Sequence, residues 1–118
     1  WNTYNTQLHD WAGRNGIRPP HVPSESQHPA HMYYLQFTDI DTRSDFISHL
    51  KTKGVMTVFH YQALNRSRIG IELGGLPGSC PVSENAADTL VRLPLFGDMT
   101  QQELDRVLSA ITSFDIYR

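Results

Sequence analysis

The pattern that most constrains the fold is the start of the last predicted helix. Thr100 and Glu103 have the spacing of a capping box, in which each side chain accepts a hydrogen bond from the other residue's backbone N–H. Met99 before the cap and Leu104 after it suit a hydrophobic staple. The apolar residues recur at helical spacing and predict one buried stripe: Leu104, Val107, Leu108, Ile111 and Phe114. Such a helix needs an apolar surface to cover.

A strand pattern and a second helix pattern lie upstream. Residues 31–37 alternate between two faces and are rich in aromatic residues, which predicts a strand. A helix is predicted from about Thr42 to Lys53, with Thr42 and Asp45 resembling a capping box. Gly54 is a suitable C-terminal stop. The expected buried stripe of this helix is Phe46, Ile47 and Leu50.

The second half of the chain repeats this alternation after a long connection. Residues 55–61 predict a second strand, and residues 62–81 a long irregular loop, a kind of segment that is often functional. Ser83 is expected to cap a short helix that ends near Leu90. Residues 91–96 predict a third strand, placed at an edge or a bulge because Pro94 cannot donate a ladder hydrogen bond. The pattern predicts an α+β fold in which helices cover a small sheet.

The first thirty residues read as a helix followed by a linker. The stripe Trp1, Tyr4, Leu8 and Trp11 predicts a helix that ends between residues 13 and 16. Pro19, Pro20 and Pro23 then impose an extended segment, and residues 18–30 are expected to form a loop or linker. The chain begins inside this amphipathic helix without a preceding cap signal, so we expect a fragment of a longer protein.

Charge and cysteine content exclude several classes of function. The net charge is −2 and the ten Lys and Arg residues are scattered, which does not suggest a nucleic-acid or anionic-membrane partner. The longest apolar run is far shorter than the roughly 20 residues that a membrane helix needs. One cysteine, Cys80, cannot form an intrachain disulfide and favours a reducing, cytoplasmic location.

The candidate chemical residues are histidines and a tyrosine. Six histidines are spread along the chain, and one cysteine is available, so we expect no metal site. Nothing in the sequence brings Cys80 and His60 together as nucleophile and base, and no glycine-rich phosphate loop is present. His60 and Tyr61 end the second predicted strand just before the long loop, and on a strand they would point to opposite faces. They are either site residues or simple packing residues.

Several segments together resemble one enzyme family. They are His31–Leu35, Thr57–Leu64, Pro81–Glu84, Arg92–Phe96 and Met99–Leu104. In this order they are similar to the C-terminal part of the DegT/DnrJ/EryC1/StrS aminotransferases. The resemblance implies the C-terminal domain of a fold-type-I enzyme that uses pyridoxal phosphate and works as a homodimer. It further implies transfer of an amino group from glutamate to a dTDP-linked 4-keto-6-deoxy sugar nucleotide.

The resemblance also assigns the parts of the site. The large domain of the family supplies the Schiff-base lysine and holds the cofactor, so no catalytic or cofactor-binding residue is expected here. The only lysines, Lys51 and Lys53, lie outside any family-like lysine motif. His60 and Tyr61 match the His-Tyr pair of the family, and Asn65 is the third expected substrate-binding residue. Asn65 stands where the family often has a second histidine, and Ala63 where it often has proline.

The same resemblance divides the chain and leaves alternatives. Residues 1–30 are expected to be the end of an interdomain helix with a proline-rich linker, and residues 31–118 a small α+β domain. The isolated fragment is expected to be inactive. The alternatives are a non-catalytic domain for ligand binding or dimerisation, and a transaminase for another keto substrate.

Overall fold

The elements alternate between helix and strand. A computed structural model describes residues 1–116, so the last two residues of the predicted domain, Tyr117 and Arg118, lie outside the described residues. The order is α1 (Asn2–Arg14), β1 (Tyr34–Gln36), α2 (Ile40–Thr52), β2 (Val58–Phe59), a 3-10 turn (Leu64–Arg66), α3 (Arg68–Glu72), α4 (Pro81–Thr89), β3 (Leu90–Arg92) and α5 (Gln101–Thr112). The expected α+β architecture is confirmed.

The sheet has three antiparallel strands in the order β1-β3-β2. Val91 is paired with Leu35 on one side and with Phe59 on the other. The third strand is therefore central, and its expected place at an edge or bulge was wrong. Pro94 lies two residues beyond the end of β3, so its missing N–H interrupts no ladder bond.

The two outer strands are shorter than expected. Beyond β1, single bonds continue the pairing, from Leu93 N to Tyr33 O and from Phe37 N to Thr89 O, each 2.9 Å long. Residues 33, 35 and 37 are all buried, which confirms the predicted alternation, although His31 is exposed. β2 contains only residues 58–59, and Val55 N instead closes α2 with a bond to Leu50 O.

One apolar core lies between the helices and one face of the sheet. The stripe of α1 contributes Tyr4, Leu8 and Trp11, and the stripe of α5 contributes buried residues from Val107 to Ile111. Phe46 and Leu50 of α2 are fully buried in the same core, and Ile47 packs partly against it. Residues 18–30 lie outside the helices and strands and contain a turn at Ser24 and Glu25. Arg18 forms two 2.9 Å backbone bonds with Gln36 along β1.

Two helix starts differ from the sequence prediction. α2 begins two residues early because Asp39, not Thr42, is its N-cap, and its carboxylate accepts from Thr42 N at 2.7 Å. α4 begins after Cys80 with Pro81 in its first turn, so Ser83 lies inside the helix. Proline suits this position because the first N–H groups of a helix have no internal partner.

The segment expected to be irregular contains local structure. Residues 64–66 form a 3-10 turn, and Ser67 caps the short helix α3 by accepting from Gly70 N at 3.0 Å. The remaining residues up to Cys80 form turns.

The last helix agrees with its sequence signals. Thr100 N donates to Glu103 Oε2 at 2.8 Å, and Glu103 N donates to Thr100 Oγ1 at 3.3 Å, which completes the capping box. Met99, Leu104 and Phe114 pack partly against the core.

Candidate functional site

A cleft lies on the sheet face opposite the core. Tyr34, Arg92 and Val58 are register partners and share this face, which we call the open face. Beside them Met56 is 83% exposed. The cleft has a volume of about 460 Å³, and we call it the sheet cleft; it is lined by His31, Met32, Met56, Val58, His60, Tyr61, Arg92, Leu93, Pro94 and Leu95. A hollow of this volume on an exposed sheet face is a candidate ligand site.

His60 and Tyr61 form one side of this cleft. Their rings are in contact, with centroids 4.8 Å apart, and Tyr61 is 69% exposed. The expectation that they end a strand and point to opposite faces was wrong. β2 ends at Phe59, and beyond the last ladder pair the period-two alternation no longer fixes the side chains.

Arg92 completes the group from the central strand. Its guanidinium carbon lies 5.3 Å from the centroid of the Tyr61 ring, a cation–π distance. Its Nε is buried and has no hydrogen-bond partner among the described residues. The sheet therefore holds a positive charge against the exposed tyrosine.

The electrostatics of His60 follow from this position. Burial lowers the pKa of its imidazole, and the positive charge of Arg92 lowers it further. The imidazole is therefore neutral at pH 7, with one ring nitrogen that donates and one that accepts. Its Nδ1 is buried without a partner among the described residues, so this nitrogen has hydrogen-bonding capacity to spare.

Asn65 has a structural connection to the long loop. Its Nδ2 donates to Glu84 Oε1 at 2.6 Å and to Leu76 O at 2.9 Å. The Glu84 carboxylate also accepts from Gly78 N at 2.7 Å and from Cys80 N at 3.2 Å. The hydrogen bond from Asn65, followed by those two backbone bonds, lowers the pKa of Glu84. Together they fix the loop between the 3-10 turn and α4.

A second depression lies behind the His-Tyr pair, with a volume of about 490 Å³. We call it the loop depression; its lining includes residues 60–65 together with Cys80, Ser83 and Leu90. His60 and Tyr61 border both hollows, so they form the ridge between them. The fold thus brings Cys80, His60 and Asn65 to one hollow, which the sequence spacing did not show.

Other histidines have packing partners. His28 lies against Trp1 with ring centroids 4.2 Å apart, and His49 lies 5.4 Å from Phe114 and 3.0 Å from Ser113 Oγ. Within residues 1–116, no group of three or more His, Cys, Asp or Glu side chains is placed to hold a metal ion.

The residues around the two lysines do not form a pyridoxal phosphate site. Lys51 is exposed in the last turn of α2, and Lys53 is exposed at its C-cap. The hollow beside Lys51 is lined by Ile47, Gly54, Val55, Met56 and Thr57. That lining offers no carboxylate for the pyridine nitrogen and no aromatic ring to stack on the cofactor. The hollow beside Lys51 therefore does not fit this cofactor.

Sequence reasoning missed two residues of this region, Arg92 and Glu84. Both occur within quoted motifs, but neither was given a role. The signal for Arg92 was available, because Val91 and Leu93 alternate with it as apolar neighbours and place its charge on the opposite face. Glu84 could not be linked to Asn65 without the fold, since 19 residues separate them.

The fold is found in aminotransferases. TlmJ, an aminotransferase from Streptoalloteichus hindustanus, matches with a TM-score of 0.77 and 24% identity over 95% of this chain and 29% of its own. CalS13, a sugar aminotransferase from Micromonospora echinospora, matches with a TM-score of 0.73 and 20% identity, over 95% of this chain and 28% of its own. NtdA from Bacillus subtilis, solved with bound PMP, matches with a TM-score of 0.74 and 23% identity, over 93% of this chain and 25% of its own. The chain thus spans less than a third of each of these proteins, consistent with the small domain of such an enzyme.

The sequence defines the family more narrowly. The model of the DegT/DnrJ/EryC1/StrS aminotransferase family matches residues 1–112. The chain therefore belongs to this family. In the part of the chain that the structure describes, none of the helices is long and apolar enough to cross a membrane.

Proposed function

We propose that this chain is the C-terminal, cleft-closing domain of a pyridoxal-phosphate-dependent sugar-nucleotide aminotransferase. The observation that carries this proposal is the position of His60 and Tyr61 beside the sheet cleft on the open face. Membership of an aminotransferase family supports it. In the complete enzyme the open face would lie toward the large domain, and the two rings would bound the substrate.

The proposed reaction transfers an amino group from glutamate to a dTDP-linked 4-keto-6-deoxyglucose. The product would be a dTDP-4-amino-4,6-dideoxygalactose, a precursor of enterobacterial common antigen and thus of surface polysaccharide. The support for this substrate is the sequence resemblance described above. We propose a cytoplasmic location, which the exposed thiol of Cys80 would suit.

The division of labour follows from the residues present. Pyridoxal phosphate, when bound by the large domain, carries the amino group and supplies the electron sink. Lys51 and Lys53 take no part, and this chain alone is inactive. Its own residues orient the sugar nucleotide: the neutral His60 can donate one hydrogen bond and accept another, and Tyr61 offers a hydroxyl on an apolar ring.

Asn65 has a less direct role in this proposal. Its amide already holds Glu84 and the loop carbonyl of Leu76. It would therefore contact substrate only on the side that lines the loop depression, while its Nδ2 keeps that hollow in shape.

The partner in the assembly is proposed to be a second copy of the protein. Apolar side chains of the long loop and of the first turn of α4 are strongly exposed, including Leu64, Leu73 and Leu76 in the loop and Val82 in α4. Contiguous exposed apolar residues commonly mark protein interfaces. This surface supports the homodimer, and it would equally serve a non-catalytic dimerisation domain, which would have no use for the sheet cleft.

The proposal is tested by separating the two half-reactions in the complete enzyme. His60→Ala and Tyr61→Phe each remove hydrogen-bonding capacity toward the sugar nucleotide. We expect kcat/KM for the sugar nucleotide to fall by the equivalent of about 1–3 kcal/mol. The half-reaction with glutamate should keep its rate, measured by the absorbance change of the cofactor.

A matched control is available on the same chain. His9→Ala removes an exposed histidine of α1 that does not line the sheet cleft. It should leave the sugar half-reaction unchanged. If folded His60→Ala and Tyr61→Phe enzymes turn over the sugar nucleotide at the wild-type rate, the two residues are packing residues and the proposed site is wrong.

A further inference from the structure

The guanidinium of Arg92 has hydrogen-bonding capacity that the described part of the chain does not use. Its Nε is buried and has no hydrogen-bond partner among residues 1–116. Within residues 1–116, the ion pairs join Arg66 to Asp88 and Arg68 to Glu72, and no carboxylate lies within 4 Å of Arg92. Arg92 as a whole is only partly buried, but a buried N–H donor without a partner is costly, so this nitrogen has hydrogen-bonding capacity for a ligand.

Other arginines of the chain have local partners. Arg43 Nε donates to Asp88 O at 2.9 Å, and Arg106 Nη2 donates to Lys53 O at 3.0 Å. These two hold elements together. Arg92 instead has Tyr61 as its neighbour, and a ring face does not satisfy N–H donors that point along the guanidinium plane.

The surroundings of Arg92 favour an anion. It lines the sheet cleft together with His60, whose buried Nδ1 is also without a partner, and with His31. The described residues that line the cleft include no acidic side chain that would compete for the positive charge. Met56 and Val58 beside the group are exposed, so an oxyanion can reach Arg92 from solvent.

We propose that the sheet cleft is an oxyanion-binding site in which Arg92 binds a carboxylate or phosphate group through the edge of its guanidinium, with His60 as a second polar contact. Arginine matches paired oxygens of either group with two parallel N–H donors. Tyr61 supports the guanidinium from its face. Occupation would provide the partner that the buried Nε of Arg92 lacks.

Two substrates of the proposed reaction carry an oxyanion that Arg92 could bind. The diphosphate of a sugar nucleotide and a carboxylate of the amino donor are both oxyanions. This assignment to a substrate rests on the proposed function, whereas the binding itself is a property of the chain and can be measured without transamination.

The experiment titrates the 118-residue chain with two probes at constant ionic strength. Inorganic pyrophosphate stands for the diphosphate, and glutarate for the dicarboxylate. Binding is followed by NMR through the arginine Nε–Hε signals and the His60 ring signals. We expect a saturable shift of the Arg92 signal with at least one probe, and the stronger probe identifies the source.

Three variants test whether the paired N–H donors of the Arg92 guanidinium are responsible for binding the probe. Arg92→Lys keeps the charge but loses the paired donors, so affinity should fall about tenfold. Arg92→Gln should abolish saturable binding. Arg14→Gln removes the same charge from an exposed site on α1 and should change affinity less than about twofold, because exposed charges are screened by salt.

Two results would overturn the proposal. One is the absence of a saturable shift in the wild-type chain with both probes. The other is an equal loss of affinity in Arg92→Gln and Arg14→Gln, which would show attraction by overall charge. If Arg92→Gln does not fold, the wild-type titration and Arg92→Lys still decide. Because no turnover is measured, a failed aminotransferase assay would leave this result standing.

Discussion

At the scale of single residues, two tyrosines in the core have differently satisfied hydroxyl groups. Tyr4 and Tyr33 are both fully buried, with ring centroids 5.3 Å apart. The Tyr4 hydroxyl donates to Pro94 O at 2.7 Å. The Tyr33 hydroxyl is buried and has no hydrogen-bond partner among the described residues. A buried tyrosine hydroxyl is thus hydrogen-bonded at position 4 and unsatisfied at position 33 among the described residues.

This contrast predicts opposite results for the same substitution. Tyr4→Phe removes a buried bond and leaves the Pro94 carbonyl without its donor, so the free energy of unfolding should fall by about 1–2 kcal/mol. Tyr33→Phe removes an unsatisfied hydroxyl and should leave the free energy unchanged or raise it. Urea unfolding of both variants measures the difference. Equal destabilisation by the two substitutions would contradict it.

At the scale of elements, caps decide where helices begin. In α5 the two members of the box are three residues apart, so sequence identifies them directly. In α2 the sequence predicted Thr42 as the cap, whereas the structure caps the helix with Asp39, three residues earlier. The chosen cap is Asp39, whose carboxylate accepts from both the backbone N–H and the hydroxyl of Thr42, at 2.7 and 2.9 Å.

The capping box predicts a local stability effect. Thr100→Ala removes the acceptor for Glu103 N and the hydroxyl donor to its carboxylate, so unfolding should become easier by about 1 kcal/mol. Ser109→Ala, at an exposed position of the same helix, should change stability by less than about 0.5 kcal/mol. Thermal or urea unfolding compares them. An unfolding midpoint of Thr100→Ala equal to that of the wild type would show that the capping box does not contribute to the stability of α5.

At the scale of the whole molecule, the core controls stability at high pH. Burial raises the pKa of Tyr4 and of Tyr33 from 10.0 to about 12, with a further contribution from Tyr34 for Tyr33. Because the folded pKa lies above the unfolded one, the neutral phenols favour the folded state fully below pH 10. This contribution is lost as the pH rises from 10 toward 12.

Alkaline unfolding checks this prediction. Urea midpoints should be nearly constant between pH 8 and pH 9.5 and should fall steeply between pH 10 and pH 12. The fall should be smaller in Tyr33→Phe, because one of the two groups no longer titrates. A wild-type midpoint that stays level up to pH 12 would mean that the phenols ionise without loss of the core.

The sequence by itself determined the features that depend on near neighbours. The helical stripes of α1 and α5, the capping box, the turn at Gly54 and the alternation around Leu35 all follow from residues a few positions apart. The α+β order follows from these, and with it the family resemblance. Local hydrogen bonds and side-chain periodicity act within one element, so a linear pattern records them.

Only the tertiary structure decided which strand is central and which side chains meet. β3 takes the middle of the sheet because Val91 pairs with both Leu35 and Phe59, and no pattern within the strand encodes two distant partners. The contact of Tyr61 with Arg92 and the bond from Asn65 to Glu84 likewise join separate elements. Such contacts depend on how strands align and helices pack across the chain, and that arrangement creates the sheet cleft.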